Sequence, residues 1–176
     1  MKLSESEKKF ILHWGEMGGK WGINRTVAQI HALLFISPVP LNAEDISNTL
    51  TIARSNVSTS IKELLNWEII KAIPLLGDRR EHYEAIQDVW QMFRIISEKR
   101  KKKEIDPTVN IIKECLLEKG ETDNELNEYS RTRLKALTEF FDTILDFYDS
   151  ANKLPTESII QLLKVSKQMD KFLKLI

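Results

Sequence analysis

The chain has 176 residues, enough for one compact domain or a small domain with an appendage. Its 26 Lys/Arg balance 26 Asp/Glu, and a formal net charge of +0 argues against a protein that coats nucleic acid indiscriminately. The charge is uneven, however, with 16 Lys/Arg against 13 Asp/Glu in residues 1–104 and 10 against 13 in residues 105–176, so any nucleic-acid contact is expected in the first part.

Residues 5–22 predict an amphipathic helix, with Phe10, Ile11, Trp14, Met17 and Trp21 on its apolar side and Gly18-Gly19 admitting a close neighbour. A second helix, roughly Arg25 to Phe35, stops before Ser37-Pro38-Val39-Pro40, whose prolines cannot continue it. Leu41 to Leu50 opens on a polar cap and puts Ile46 and Leu50 on one face, a short helix. A turn through Thr51, Ile52 and Ala53 leads into a helix from Arg54 to Trp67, with Val57, Ile61, Leu64 and Leu65 facing inward. Its other face carries Arg54, Ser55, Asn56, Ser58, Thr59 and Lys62, short hydrogen-bonding groups and cations that reach base edges and phosphates from a helix laid in a major groove.

After Trp67 the period changes. Ile69 to Ile73 is β-rich and ends at Pro74, and Glu81 to Ala85 alternates polar and packable side chains. Between them Gly77-Asp78 reads as a turn pair that places Arg79 and Arg80 at a hairpin tip, where they enter a minor groove or clamp phosphates. From Asp88 a helix carries Val89, Trp90, Phe93 and Ile96 to the run Lys99-Arg100-Lys101-Lys102-Lys103, which reads as a solvated face between Glu98 and Glu104. Asp106-Pro107 reads as an N-cap and first helical position, so the helix breaks there and restarts. Thr108 to Lys119 is then helical and Gly120 ends it. Thr122-Asp123 starts a helix over residues 124–149, and Pro155 opens a last one. The stripes Leu134-Leu137-Phe141-Leu145 and Ile159-Leu163-Phe172 exceed what a small core needs, which points to a homodimer with half-sites about one DNA turn, ~10 bp, apart.

The fold class expected is therefore mostly α with a small β wing: a winged helix-turn-helix over residues 1–104 and a helical dimerisation and effector region over 105–176. Chemistry has no foothold. There is no P-loop, GxSxG, HExxH or glycine-rich dinucleotide turn, so neither enzyme activity nor a cofactor is expected. The single Cys115 and the scattered His13, His31 and His82 offer no zinc spacing, and Cys115 reads as a buried, inert thiol. No apolar run approaches the roughly 18 residues of a membrane span. The charged N-terminus lacks a signal peptide's apolar stretch, so a cytoplasmic protein is expected.

Several stretches resemble the MarR-like winged-helix regulators and, more closely, their GbsR branch: residues 32–41 as the second-helix ending, Arg54-Ser55-Asn56-Val57-Ser58 as the opening of the recognition helix, Gly77-Asp78-Arg79-Arg80 with Tyr83-Glu84-Ala85 as the wing, and the basic run and proline of residues 98–107. The likeness spans about residues 5–120. It implies a homodimeric repressor that binds a double-stranded DNA operator and responds to a small effector such as choline or glycine betaine, held by aromatic rings through cation–π attraction. Trp90 and Phe93, on the helix joining the DNA-reading and dimerising parts, are the expected effector contacts. The alternative is a winged-helix protein-interaction module in a larger assembly. The Arg/Ser/Asn/Thr/Lys face of the recognition helix argues against it, because protein hot spots are dominated by buried aromatics.

Overall fold

The computed structural model describes residues 2–117 and 126–173, with side chains described as far as Val165. The expected stop at Gly120, the restart at Thr122-Asp123 and the side chains of Met169, Phe172, Leu173 and Ile176 lie outside the described residues. The chain divides into two compact units, Met1–Lys99 and Arg100–Ile176. No helix among the described residues is long and apolar enough to cross a membrane.

In the first unit, α1 (Glu5–Lys20) begins at a capping box in which Glu7 N–H donates to Ser4 Oγ and Ser4 N–H donates to Glu7 Oε2. Helix α2 (Arg25–Ile36) starts where Asn24 Oδ1 accepts from Thr26 N–H. It is apolar nearly all round and therefore central. Ile30, Leu33 and Leu34 are fully buried, and the helix touches α1 and the elements that follow it. The α1–α2 crossing is close because residue 18 has no Cβ, and an added one would overlap the Ala28 methyl. Gly19, expected to share this role, faces open space.

Strand β1 (Leu41–Asn42) leads directly into α3 (Ala43–Leu50), and α4 (Arg54–Asn66) follows after a short turn. That turn hinges on Thr51, which adopts the left-handed conformation at φ 56°. Such a conformation costs a non-glycine residue roughly 1–2 kcal/mol. It is held by Thr51 N–H donating to Ser47 O and by Ser47 Oγ donating to Ile52 O at 2.7 Å. Val57, Ile61 and Leu64 bury the inner face of α4 as their spacing predicts, Leu65 is half-buried, and Ser60 joins them in the core.

The wing consists of β2 (Ile70–Leu75) and β3 (Asp78–Ala85) in an antiparallel sheet of order β1-β3-β2. β1, which the sequence reading absorbed into the start of a helix, pairs Leu41 with Tyr83 and Asn42 with His82. β2 does not end at Pro74. It continues to Leu75 with a register shift between Ile73 and Leu75. The turn is accordingly Leu76-Gly77, with Gly77 at φ 84°, and Asp78 already belongs to the strand.

Helix α5 (Val89–Arg100) is followed by a π-helical turn at Lys101–Ile105 and then by α6 (Asp106–Leu117). The expected break at Asp106-Pro107 is absent. Asp106 is helical at φ −56° and ψ −44°, and its carboxylate accepts from Lys101 Nζ at 3.1 Å instead of capping. The wider π turn explains how Pro107 is tolerated, because it relieves the ring's clash with the carbonyl one turn back. Thr108 Oγ1 also donates to the Glu104 carbonyl there. In the second unit α7 (Glu128–Asn152) packs against α6, tied by Lys113 Nζ to Asp142 at 2.8 Å and by Arg131 Nη1 to Leu116 O, and α8 (Thr156–Leu173) completes the described chain.

The α1–α2 crossing yields a paired prediction. Gly18→Ala should destabilise the first unit by about 1–3 kcal/mol through overpacking against Ala28, whereas Gly19→Ala should gain about 0.5–1 kcal/mol of helix stability. Urea unfolding of the two variants measures both. Equal effects would mean that the crossing is not set at residue 18.

Candidate nucleic-acid interface

The outer face of α4 exposes Arg54, Ser55, Asn56, Ser58, Thr59 and Lys62 together. Thr59 Oγ1 is spent on the Ser55 carbonyl at 3.1 Å, so Thr59 offers its methyl group outward. The side chains of Arg54, Asn56, Ser58 and Lys62 hold no hydrogen bond or ion pair among the described residues. Ala53 at the N-cap also supplies no side-chain acceptor, which leaves the first-turn N–H groups of α4 to solvent or to an anion.

The two wing arginines differ. Arg79 is exposed, and no described residue pairs with it. Arg80 folds back onto the protein: its Nε lies 3.0 Å from each Asp78 oxygen, its Nη2 2.6 Å from Asp78 Oδ2, and its Nη1 3.3 Å from Glu44 Oε2 in the first turn of α3. The Arg80 side chain and then its backbone N–H hold the Asp78 carboxyl well below the usual carboxylate range. Arg80 thus braces the wing tip against the helix-turn-helix. Sequence reasoning also missed Leu76, which stands fully exposed at the turn.

A cavity of about 160 Å³ in the first unit is lined by Phe10 and Trp14 of α1, His31, Ala32 and Phe35 of α2, and Val89 and Met92 of α5. Four rings converge there, with centroids 5.6 Å apart for Phe10–Trp14, 6.5 Å for Trp14–His31 and 6.3 Å for His31–Phe35. His31 is 5% exposed, and its Nε2 has no hydrogen-bond partner. Burial pushes its pKa down to about 4, so the ring is neutral near pH 7. Of the expected effector contacts, Trp90 is half-buried and Phe93 is 59% exposed. Neither lines the cavity, because α5 turns Val89 and Met92 toward it. Cys115 is half-buried, and no group of side chains among the described residues could hold a metal ion.

These elements define a winged helix-turn-helix fold with an added helical unit. A crystal structure described as a transcriptional regulator overlays on the chain with a TM-score of 0.64 at 15% identity, covering 84% of this chain and 95% of that one, which shows the fold. YvaV of Bacillus subtilis (strain 168), provisionally assigned as an HTH-type transcriptional regulator, is 21% identical over 153 residues, 86% of each chain. MepR of S. aureus in complex with DNA overlaps at a TM-score of 0.37 and 16% identity, over 63% of this chain and 93% of that one, too little to carry an argument. No family model matches the chain.

His31 makes stability depend on pH. Between about pH 6.5 and 4 the unfolded chain takes up a proton that the folded one refuses, so the stabilisation is complete above pH 6.5 and is lost as pH falls toward 4. The total is roughly 3 kcal/mol. Urea midpoints of wild type and His31→Phe compared at pH 7 and pH 5 should show the variant losing less stability; parallel losses would place the titration elsewhere.

Proposed function

We propose that the chain is a sequence-specific, double-stranded-DNA-binding transcriptional regulator that acts as a homodimer and, as its resemblance to the GbsR branch implies, as a repressor. The observation that carries this reading is the exposed face of α4, where Arg54, Asn56, Ser58 and Lys62 have no partners among the described residues beside a wing with an unpaired Arg79. Polar groups left idle on a helix of this fold suit base edges and phosphates. The name of YvaV and the description of the overlaid crystal structure agree with this role.

In this reading Ser55 and Asn56, on the first turn of α4, read bases, while Arg54 and Lys62 position the helix on phosphates. Arg79 reaches from the wing. Arg80 acts through Asp78 and Glu44 by holding the wing in place, and Leu76 is the apolar tip that enters or abuts the minor groove. Against the promoter of its genomic neighbourhood, Arg79→Ala should weaken binding by roughly 1–3 kcal/mol on every sequence and reduce the salt slope by about one. Asn56→Ala should relax sequence preference while leaving nonspecific binding. Mobility shifts over a salt series read both. A protein that does not shift the promoter fragment over competitor DNA is an interaction module instead.

The effector reading moves with the geometry from Trp90 and Phe93 to the cavity around His31. Ring faces suit a quaternary ammonium group, and the lining of the cavity is wholly apolar. The carboxylate of glycine betaine would be buried there without a cation. Choline at millimolar concentration should therefore change tryptophan emission and operator affinity more than glycine betaine does, and Trp14→Ala should abolish the response. No response to either ligand removes this effector class.

A further inference from the structure

The outward face of α4 has a centre, and the side chain at that centre differs in chemistry from those around it. The buried Val57, Ser60, Ile61 and Leu64 fix the inward direction of the helix. With successive side chains about 100° apart, Ser55, Thr59 and Lys62 fall within roughly 30° of the opposite direction. All three are exposed, as that direction requires. Asn56 and Arg54 lie on opposite flanks, about 90° or more away. Ser55, Thr59 and Lys62 thus form one line along the helix, about 10 Å long, which matches roughly three base pairs stacked about 3.4 Å apart.

Thr59 stands in the middle of this line. By residue type it counts as a hydrogen-bonding group, but the fold has already used its hydrogen: Oγ1 donates to the Ser55 carbonyl at 3.1 Å. No hydroxyl hydrogen is left for purine N7, guanine O6 or thymine O4, the acceptors along the floor of a major groove. The group it turns outward is its methyl.

A methyl in that position discriminates among bases. Pressed over a purine, it would cover N7 without supplying a hydrogen bond, which costs free energy. The major groove carries one apolar group of its own, the 5-methyl of thymine, and contact between two methyls removes both from water. Lys62, one turn further on, has the length to reach a phosphate while the centre of the helix rests on the base edges.

We propose that Thr59 is a specificity-determining residue that reads thymine through its methyl group, so that a half-site bound by α4 carries thymine at the base pair beneath the middle of the helix. The proposal rests on the DNA-reading role of α4 in the proposed function and names the base that its central residue selects.

The test begins with selection of duplexes from a randomised pool by the full chain. Each thymine of the selected site is then replaced singly by deoxyuridine, which removes the 5-methyl and leaves every hydrogen-bonding group in place. One such replacement in a half-site should weaken wild-type binding about fourfold, the size expected for one buried methyl group. Thr59→Ser keeps the hydroxyl and its bond to the carbonyl, and should bind the thymine and deoxyuridine duplexes equally. Thr59→Val keeps an outward methyl and should retain the preference. A selected site in which no thymine responds to replacement, a Thr59→Ser variant that still prefers thymine, or a Thr59→Val variant that loses the preference overturns the assignment and leaves the DNA-reading role standing. A chain that enriches no sequence from the pool overturns both.

Discussion

One buried side chain, Asn42, joins the parts on which the DNA-reading geometry depends. It is 3% exposed and uses both ends of its amide. Its Oδ1 accepts from Glu44 N–H at 2.9 Å and Asp45 N–H at 3.0 Å to start α3, while the Asp45 carboxylate takes the Asn42 N–H in return. With the oxygen committed to the helix, Nδ2 must be the group facing His82 Nε2 at 3.4 Å. His82 Nε2 also lies 3.6 Å from Asp78 Oδ2, and its Nδ1 faces the Arg80 carbonyl at 3.0 Å. A single amide thus joins a helix start to a strand pairing.

The same chain of contacts explains why recognition helix and wing are presented as one body. Arg80, whose carbonyl faces His82, sends its guanidinium to Asp78 at the turn and to Glu44 on α3. The wing is therefore anchored at its base through Asn42 and near its tip through Glu44. A reader assembled before it meets its ligand loses less conformational freedom on binding than one that must order a loose hairpin.

Much of this was legible in the residues. The 3.6-residue period of Val57, Ile61 and Leu64 located α4, and the prolines after Ser37 located the end of α2. What the sequence left hidden has physical reasons. β1 is two residues long, too short to show a period, and exists only because β3 is there to pair with it. Pro74 stops most strands but is admitted here at a register shift. The pairing of Arg80 had a readable signal, since Asp78 and Arg80 are two apart on a strand and so share a face. Arg79, on the opposite face, could have been separated from it by that rule. The cavity was not readable, because it needs α1, α2 and α5 brought together, and a helical phase error of one residue exchanges Met92 for Phe93.

The edge position of β2 bears on how the protein behaves in a crowded solution. In the sheet order β1-β3-β2 one side of β2 has no neighbouring strand among the described residues, and an open edge of this kind is a template on which foreign strands polymerise. Pro74 deletes a donor from that edge and shifts its register, and the neighbouring strand residue Lys71 adds a charge held by Glu84 at 2.8 Å. A strand arriving from another molecule finds no continuous ladder there and meets a charge beside it. The interrupted strand thus serves as a guard against amyloid-like stacking, and it lets the chain carry an exposed leucine at the hairpin apex without making the whole wing adhesive.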